Sequence, residues 1–469
     1  MPPKPPAFVG RRAQLTTLGS ELEVLERSGK GRFVLIRGRR RVGKSRLAEE
    51  FLSQAGIPYA FFAATQGRRP ALELGSFSAA LAGMASGPIP GFASWDAALA
   101  YVSTVARATG PLAVVVDEFP YLVEQDPSVE GAFQTAWDRH VSRAPVLIIV
   151  IGSDLAMMEA VTSYGRPLYQ RPTREIHLLP LGPDEVASML DLNASDALDA
   201  YLIIGGLPLL AGSWRPLDTV RTYLERELVD PSSPLVVAGE RAVAAEFPPG
   251  SHARLVLAAI GSGETTFGNI GAAAGLNAAS LERSLSILAS KRVIERALPL
   301  SARRSREARY RVVDPYLRFW LRFVDKSLEE IERGRGHMVA DRVLAGWGDY
   351  RGKAIEPVVR MLIEAQLPDP RFGDARHVGG FWTRSNDVEI DVIAAAEPQL
   401  PRRIAVVGSI KWRERGRFTD PDHARLSRMS SKVPGTDPDT LLLGVSRSGF
   451  ATDRLDVELS PSDLLKVPR

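Results

Sequence analysis

A glycine-rich stretch near the start of the chain has the residue types and spacing of a phosphate-binding loop. It runs from Gly38 to Gly43, Lys44 and Ser45 and matches the pattern G-x-x-x-x-G-K-S. In this pattern backbone N–H groups enclose the β-phosphate, the lysine reaches the β- and γ-phosphates, and the hydroxyl binds Mg²⁺. We therefore expect ATP and Mg²⁺ as ligands. The residues expected to bind the nucleotide are Gly38, Arg39, Arg40, Arg41, Val42, Gly43, Lys44, Ser45 and Arg46.

The segments on either side of this loop fit the same chemistry. The apolar run 33–36 predicts a buried strand before the loop, and the segment 45–52 predicts a helix after it. A helix that begins at such a loop points its positive N-terminal dipole at bound phosphates. The sequence therefore predicts a strand, a phosphate-binding loop and a helix in that order.

Two further apolar runs end in polar side chains. Residues 111–116 predict a buried parallel strand that is followed by Asp117 and Glu118. Because ligands of an open α/β sheet lie at the carboxyl ends of its strands, we expect Asp117 to bind Mg²⁺ with Ser45, and Glu118 to polarise the attacking water. The next strand is followed by Ser153, a candidate sensor of the γ-phosphate or of the attacking water.

Further motifs occur in the order seen in the archaeal-type AAA+ ATPases that are related to STAND switch proteins. They lie at residues 8–11, 38–45, 116–118, 151–153, 168–171 and 205–208. On these motifs the segment 8–240 resembles that family. The resemblance implies a nucleotide-binding core that hydrolyses ATP, followed by a helical lid.

The same resemblance implies roles for residues outside the loop. Phe8, Val9 and Arg11 would lie near the adenine. Arg171 would sense or activate the γ-phosphate, and residues 205–208 would belong to the lid. The catalytic residues of ATP hydrolysis would then be Lys44, Glu118, Ser153 and Arg171.

The segment 246–324 changes in character and predicts a winged helix-turn-helix. A glycine turn at Gly275 precedes an amphipathic run in which Leu281, Leu285 and Leu288 share one face. A hairpin would follow as the wing, and its arginines suit phosphate contacts. These arginines are Arg303, Arg304, Arg306, Arg309 and Arg311. DNA is the expected partner, and a winged helix that contacts only protein stays open as the alternative.

The last part of the chain carries a second set of acids and resembles the restriction-endonuclease-like domain of the PD-(D/E)XK superfamily. The resemblance rests on Glu356 in a helix, Asp391 in a strand and Lys411 at the end of a further strand. In that superfamily a helix acid, a strand Asp and an acid two residues before a Lys gather around Mg²⁺ to cleave a phosphodiester. Carried over, Glu356, Asp391 and Lys411 would be catalytic, and Glu356 and Asp391 would bind the metal.

One position departs from that pattern. Ser409 stands where the superfamily has an acid, and a hydroxyl is a weaker Mg²⁺ ligand than a carboxylate. Glu389 lies two residues before Asp391 on the same face of the strand, and it is a candidate to supply the missing charge as a catalytic residue. Two hypotheses stay open: an active nuclease, or a degenerate domain that binds DNA or a protein without cutting. Basic side chains that suit DNA flank the site at Arg402, Arg403, Arg413, Arg415 and Arg417.

Length and composition limit the remaining possibilities. The chain has 469 residues, of which 45% are hydrophobic and 24% charged, and it has no cysteine. Disulfides, thiolate metal sites and cysteine nucleophiles are therefore excluded. No run approaches the roughly 20 apolar residues of a membrane span, so we expect a cytoplasmic protein with no membrane partner. The net charge of +4 is compatible with nucleic acid without requiring it.

The expected fold class is α/β, with a P-loop AAA+ parallel sheet, a helical lid, a winged helix-turn-helix and a C-terminal α/β restriction-endonuclease-like domain. The expected domains are 1–180 (ATPase core), 181–245 (lid), 246–324 (winged helix), 325–345 (linker helix) and 346–469 (nuclease-like domain). The favoured hypothesis couples ATP hydrolysis to DNA through the lid and winged helix. The alternative is a nucleotide-dependent switch or scaffold that recruits DNA or a protein partner, and a homo-oligomer is compatible with both. A small-molecule kinase is disfavoured because the order of motifs leaves no evident acceptor site.

Overall fold

A computed structural model describes residues 8–84 and 89–466, so residues 1–7 of the predicted ATPase core lie outside the described part. The chain forms two compact units, residues 1–180 and 181–469. Each unit has its own apolar core. None of the helices in the described part of the chain combines the length and apolar character that crossing a bilayer requires.

The first unit is built on a five-stranded sheet in which all neighbouring strands are parallel. The strands are β1 (Arg32–Arg37), β2 (Tyr59–Ala63), β3 (Leu112–Asp117), β4 (Val146–Gly152) and β5 (Arg174–His177). Their order in the sheet is β2-β3-β4-β1-β5. Every residue of β3 and β4 is buried, which explains why both strands are almost continuously apolar in sequence.

Helices accompany this sheet along the chain, as the alternating sequence pattern predicts. They are α1 (Arg12–Ser28), α2 (Lys44–Ala55), α3 (Pro70–Ala80), α4 (Trp95–Thr109), α5 (Phe119–Gln125), α6 (Ser128–Arg139) and α7 (Leu155–Val161). Phe62 of β2 packs against Phe77 of α3 and Trp95 of α4, with ring centroids 5.6 and 5.7 Å away. This aromatic packing fixes two helices to one edge of the sheet.

The second unit begins with helices and a hairpin. Its first five helices are α8 (Pro183–Leu190), α9 (Ala194–Ile204), α10 (Pro208–Ala211), α11 (Val220–Val229) and α12 (Pro234–Glu246). Three more helices and an antiparallel strand pair follow: α13 (His252–Gly261), α14 (Phe267–Ala274), α15 (Ala278–Ser290), β6 (Ile294–Ala297) and β7 (Arg309–Val312). Gly275 ends α14 with a φ of +66°, and Asn277 caps α15 by accepting the N–H of Ser280. These helices and the hairpin occupy the segment for which a winged helix-turn-helix is predicted.

A long helix links this part to the last sheet. After α16 (Pro315–Phe319) and α17 (Leu328–Glu330), α18 extends over Gly336–Gln366. It continues without a break across residue 345, where the predicted linker helix ends, because buried side chains recur at helical spacing on both sides of that position.

The last sheet has five strands of mixed direction. The strands are β8 (His377–Trp382), β9 (Glu389–Ala395), β10 (Val406–Lys411), β11 (Leu441–Ser446) and β12 (Val457–Leu459), in the order β12-β11-β10-β9-β8. β9 is antiparallel to β8 and β10, whereas β10, β11 and β12 are parallel. Two helices complete this part: α19 (Asp420–Ser430) and α20 (Pro461–Leu464). The acids of the second predicted site lie on α18 and β9.

Candidate nucleotide site and carboxylate cluster

The loop between β1 and α2 has the backbone geometry of a phosphate-binding nest. Arg41 and Gly43 have φ angles of +69° and +92°, so the loop mixes left-handed and right-handed residues. A Cβ atom on Gly38 would lie 2.4 Å from the carbonyl oxygen of Leu178, which requires glycine at that position. Helix α2 begins at Lys44, so its N-terminus faces the same loop.

Lys44 is buried inside the loop. Its Nζ donates hydrogen bonds of 2.9 and 3.0 Å to the carbonyl oxygens of Gly38 and Arg39. Burial lowers the pKa of Lys44, and the charges of Glu118 and Asp117 oppose that change. The loop therefore holds a desolvated cation whose carbonyl partners can be exchanged for phosphate oxygens.

Ser45 and Asp117 form a pair of oxygen ligands at the end of β3. Ser45 Oγ donates a hydrogen bond of 2.5 Å to Asp117 Oδ2, and Asp117 Oδ1 accepts the N–H of Glu118 at 2.9 Å. Burial raises the pKa of Asp117, and the hydrogen bond from Ser45 opposes this. A hydroxyl next to a carboxylate matches the hard oxygen ligands that Mg²⁺ takes together with phosphates. These residues fit the predicted metal.

Glu118 lies beside this pair and is held by Ser153. Ser153 Oγ lies 2.8 and 2.7 Å from the two carboxylate oxygens of Glu118, and Ser153 N–H lies 3.3 Å from one of them. The structure thus brings together the acid and the polar residue that sequence analysis placed after two different strands.

Arg11 and Arg171 have partners other than a nucleotide. Arg11 is buried, and its Nη2 donates to the carbonyl oxygen of Val42 at 3.0 Å, so it supports the loop. Arg171 donates to Asp138 Oδ2 at 3.0 Å and to the carbonyl oxygen of Tyr169 at 2.9 Å. Within the described residues, no hydrogen bond or ion pair joins Arg171 to the loop. Phe8 and Val9 are half-buried, and their place near the adenine stays a prediction.

The second predicted site places two acids close together. Burial, and then the nearby charge of Asp391, raise the pKa of Glu356 to about 7. Arg360 lies one turn further along α18, and its Nη2 pairs with Glu356 Oε2 at 2.8 Å. Glu356 is therefore paired with an arginine of its own helix.

Asp391 is also occupied. Its Oδ2 accepts hydrogen bonds from Ser409 Oγ at 3.1 Å and from the N–H of Ile410 at 2.7 Å. Ser409, at the position where the superfamily has an acid, is thus a donor to Asp391. Lys411 extends from the same strand, and its Nζ lies 4.0 Å from Asp422 Oδ1.

The carboxylate of Glu389 is already paired with an arginine, so it does not supply the missing negative charge of this cluster. Arg309 Nη1 pairs with Glu389 Oε1 at 2.5 Å, and Arg309 Nη2 donates to Asn386 Oδ1 at 2.8 Å. The guanidinium of Arg309 also lies 4.6 Å from the ring centroid of Trp382. Across residues 8–84 and 89–466, no group of three or more His, Asp or Glu side chains could hold a metal ion. Since Arg360, Arg309 and the donors on β10 already occupy its acids, the cluster does not fit a metal centre.

The connection between β6 and β7 packs on the last sheet, a contact for which the sequence carries no signal. The N–H of Leu300 donates to the carbonyl oxygen of Gly380 at 2.9 Å, and Trp382 Nε1 donates to the carbonyl oxygen of Glu307 at 2.8 Å. Arg309 belongs to the same hairpin. The hairpin therefore lies against β8 and reaches the acid cluster. The arginines left exposed on the connection are Arg303, Arg304 and Arg306.

Asp199 forms a second buried contact that sequence analysis missed. This carboxylate of α9 is 2% exposed and accepts hydrogen bonds from Arg351 Nη1 (3.0 Å), Trp412 Nε1 (2.8 Å) and Arg447 Nε (3.1 Å). Burial raises the pKa of Asp199, and the two arginines oppose this. The donors lie on α18 and just after β10 and β11, so one acid ties the predicted lid to the predicted nuclease-like domain.

The chain is similar to several archaeal proteins. Residues 320–424 match the family DUF234, described as archaea bacterial proteins of unknown function. The uncharacterized protein MJECL04 of Methanocaldococcus jannaschii is 26% identical over 441 residues, which cover 92% of this chain and 93% of that protein. The ORC2 protein of Aeropyrum pernix aligns with a TM-score of 0.48 and 15% identity, over 73% of this chain and 96% of that one. The Walker-type ATPase paby2304 of Pyrococcus abyssi aligns with a TM-score of 0.50 and 19% identity, over 67% of this chain and 96% of that one. This last likeness identifies the fold as that of a Walker-type ATPase, and the predicted α/β fold class with a P-loop parallel sheet is confirmed.

Proposed function

We propose that this chain is a nucleotide-dependent switch that hydrolyses ATP in its first unit and engages a partner through its second unit without cutting it. The observation that carries the proposal is the arrangement of Lys44, Asp117 and Glu118 around one phosphate-binding loop. Each supplies one part of phosphoryl transfer: a cation for the phosphates, a metal ligand and an acceptor for the water proton.

The side chains around the loop have different roles in the proposed hydrolysis of ATP. Glu118 takes a proton from the attacking water, and the Ser153 hydroxyl fixes the orientation of its carboxylate. Lys44 exchanges its bonds to loop carbonyls for bonds to phosphate oxygens, whose negative charge adds an attraction that the carbonyls lack. When bound by Ser45 and Asp117, Mg²⁺ would supply positive charge for the phosphates.

The C-terminal cluster favours binding over cleavage. Metal-dependent cleavage needs carboxylates that are free to bind a cation. Glu356 is instead paired with Arg360, and Glu389 with Arg309. Ser409 and its neighbour donate to Asp391 and add no negative charge. We therefore assign this domain a non-cleaving role.

DNA is the partner that the exposed charge favours. Arg303, Arg304 and Arg306 are exposed on the connection between β6 and β7, whereas Arg309 and Arg311 are paired with Glu389 and Glu295. Exposed arginines on a supported loop suit contacts with a phosphate backbone. A protein partner is the second candidate, because the exposed face of α15 carries only two charged side chains, Glu282 and Arg283.

Hydrolysis is tested by measuring phosphate release from ATP by the full chain, beside Lys44→Ala and Lys30→Ala. Lys30 is an exposed lysine of the same unit and serves as the matched control. We expect Lys44→Ala to remove hydrolysis and Lys30→Ala to retain it. Normal hydrolysis by Lys44→Ala would contradict the proposal.

The role of the second unit is tested by incubating the protein with Mg²⁺ or Mn²⁺, ATP, and linear, circular or single-stranded DNA. We expect no cleavage, and faster ATP hydrolysis when DNA is present. Cleavage that disappears in both Asp391→Ala and Lys411→Ala would instead identify an ATP-coupled nuclease. Hydrolysis that does not respond to any of the DNAs would favour the protein partner.

A further inference from the structure

Arg40 lies in the phosphate-binding loop at a position where the pattern accepts any residue, yet its side chain has a defined partner. Its Nη2 donates a hydrogen bond of 2.7 Å to the hydroxyl of Tyr121. Tyr121 belongs to α5, which follows Glu118 directly, and its own N–H donates to the carbonyl oxygen of Glu118 at 2.9 Å. Arg40 therefore reaches from the loop to the helix that begins at the proton-accepting acid.

The charge of Arg40 also acts inside the loop. Burial is the main cause that lowers the pKa of Lys44, and the positive charge of Arg40 acts in the same direction. Two cations thus lie near each other where the phosphates bind. Because like charges repel, a polyanion relieves the repulsion, and an added terminal phosphate relieves it further.

Arg40 is better placed than Arg171 to respond to a phosphate. Arg171 is held by the Asp138 carboxylate and by a carbonyl of its own loop. The partner of Arg40 is an uncharged phenol, which lacks the charge–charge attraction that the Asp138 carboxylate has for Arg171. A phosphate oxygen therefore displaces Tyr121 from Arg40 more readily than it displaces Asp138 from Arg171.

We infer that Arg40 is the arginine that contacts the terminal phosphate of ATP, and that Tyr121 holds it in place until the nucleotide binds. This assignment rests on the proposed hydrolysis of ATP. In that reaction the oxygen of water bonds to the γ-phosphorus, the bond from the γ-phosphorus to the β–γ bridging oxygen breaks, and the water proton passes to Glu118. Arg40 stabilises the charge on the γ-phosphate oxygens during the transfer, so its effect is specific for ATP over ADP.

The test measures nucleotide affinity and hydrolysis separately in the full chain. Arg40→Ala is expected to lower kcat by about 1,000-fold or more, as for other arginines that contact a transferring phosphoryl group. It is expected to weaken a fluorescent, non-hydrolysable ATP analogue by about tenfold, as one lost charge-assisted bond implies, and to leave the affinity for ADP unchanged. Arg40→Lys keeps the charge but loses the planar fork, so it recovers only part of kcat. Arg143→Ala removes an exposed arginine of the same unit and is expected to match the wild type.

The Tyr121→Phe variant tells whether Arg40 contacts the phosphate or only joins the loop to α5 through its hydrogen bond to Tyr121. If Arg40 contacts the phosphate, removing the phenol hydroxyl frees its guanidinium, tightens binding of the ATP analogue and leaves kcat no lower. If Arg40 acts only by joining the loop to α5, Tyr121→Phe lowers kcat as much as Arg40→Ala does. That second result would overturn the inference.

Failure of this inference can be told apart from failure of the proposed function. A wild-type chain that does not hydrolyse ATP, or a Lys44→Ala variant that does, removes the ATPase proposal and the assignment of Arg40 with it. An inactive Lys44→Ala beside an Arg40→Ala variant with the wild-type rate overturns only the assignment of Arg40. Equal weakening of ADP and the ATP analogue by Arg40→Ala also overturns it, because the contact would then not be with the terminal phosphate.

Discussion

The Ser153 hydroxyl lies 2.8 and 2.7 Å from the two carboxylate oxygens of Glu118. These residues follow β4 and β3, which are parallel neighbours, so the pair joins two strand ends at the edge where the loop lies. Glu118 also has a φ of +54°, a left-handed conformation that costs a non-glycine residue roughly 1 kcal/mol or more. The acid is thus held in one orientation at an energetic cost, as expected of a residue placed for chemistry.

Ser153→Ala should lower kcat about tenfold, because one lost hydrogen bond of about 1.4 kcal/mol would leave the Glu118 carboxylate poorly oriented. KM for ATP should change little, since Lys44 and the loop are untouched. Ser153→Thr retains the hydroxyl and should keep most of the activity. Steady-state hydrolysis measures both constants, and a large rise in KM with kcat preserved would show that Ser153 binds the nucleotide and does not orient Glu118.

Asp117→Asn should weaken the binding of Mg²⁺, so the Mg²⁺ concentration that gives half-maximal hydrolysis should rise. The amide keeps the size of the side chain and can still pair with Ser45, but it removes the negative charge that the metal needs. We expect kcat at saturating Mg²⁺ to fall about 100-fold or more, the size of effect that follows the loss of one group that stabilises transition-state charge. Titration of Mg²⁺ at fixed ATP tests this, and EDTA should abolish hydrolysis by the wild type. An unchanged Mg²⁺ titration in Asp117→Asn would rule out Asp117 as a metal ligand.

Local patterns were enough to predict which side chains meet at one edge of the first sheet. The glycine spacing around Lys44 and the apolar runs before Asp117 and Ser153 each lie within a few residues, and strand ends in a parallel sheet meet at one edge. The α/β class of the first unit follows from the same alternation of strand and helix.

Contacts between distant segments could not be predicted in this way. Arg309 and Glu389 are 80 residues apart, and Asp199 lies 152 residues from Arg351 and 248 from Arg447. A single acid or arginine has no periodicity, so its sequence does not reveal whether it is buried or which partner it meets. The resemblance implied metal-binding roles for Glu356 and Asp391, but it gave no sign of Arg360 and Arg309, which pair with acids of this cluster. This is why the metal expected there does not fit the structure.

Asp199→Ala should destabilise the second unit strongly. Arg351 and Arg447 have side chains only 6% and 14% exposed, so removing Asp199 leaves two largely buried cations without their main partner. Breaking a buried pair in this way costs about 3–5 kcal/mol. Asp196→Ala is the matched control, because Asp196 pairs with the same Arg447 but is 50% exposed, and exposed pairs contribute about 1 kcal/mol or less. Urea unfolding, followed by tryptophan fluorescence, gives the free energy of unfolding of both variants. Equal losses of this free energy in Asp199→Ala and Asp196→Ala would contradict the larger contribution assigned to Asp199.

Stability of the second unit should also depend on pH through Glu356. Burial and Asp391 raise its pKa from 4.5 to about 7, and the other charges that face it belong to Arg360, Glu389 and Arg309. The folded state therefore favours the protonated acid. The raised pKa of Glu356 adds to the free energy of unfolding, and this addition is complete below about pH 4.5. Between about pH 4.5 and 7 the folded chain binds more protons than the unfolded chain, so the addition is lost as the pH rises through about 7.

Glu356→Gln replaces the acid by a neutral group of the same size and should remove this dependence. Between pH 5 and pH 8 the wild type should lose on the order of 2 kcal/mol relative to the variant, somewhat less than the full shift implies because part of the side chain contacts water. Melting temperatures of both chains, measured in EDTA at each pH, give the difference. Asp349→Asn, an exposed acid on the same helix, should follow the wild type at every pH. A wild type and a Glu356→Gln variant whose melting curves shift in parallel from pH 5 to pH 8 would show that Glu356 is ionised in the folded chain throughout this range, and that Arg360 and Arg309 outweigh its burial.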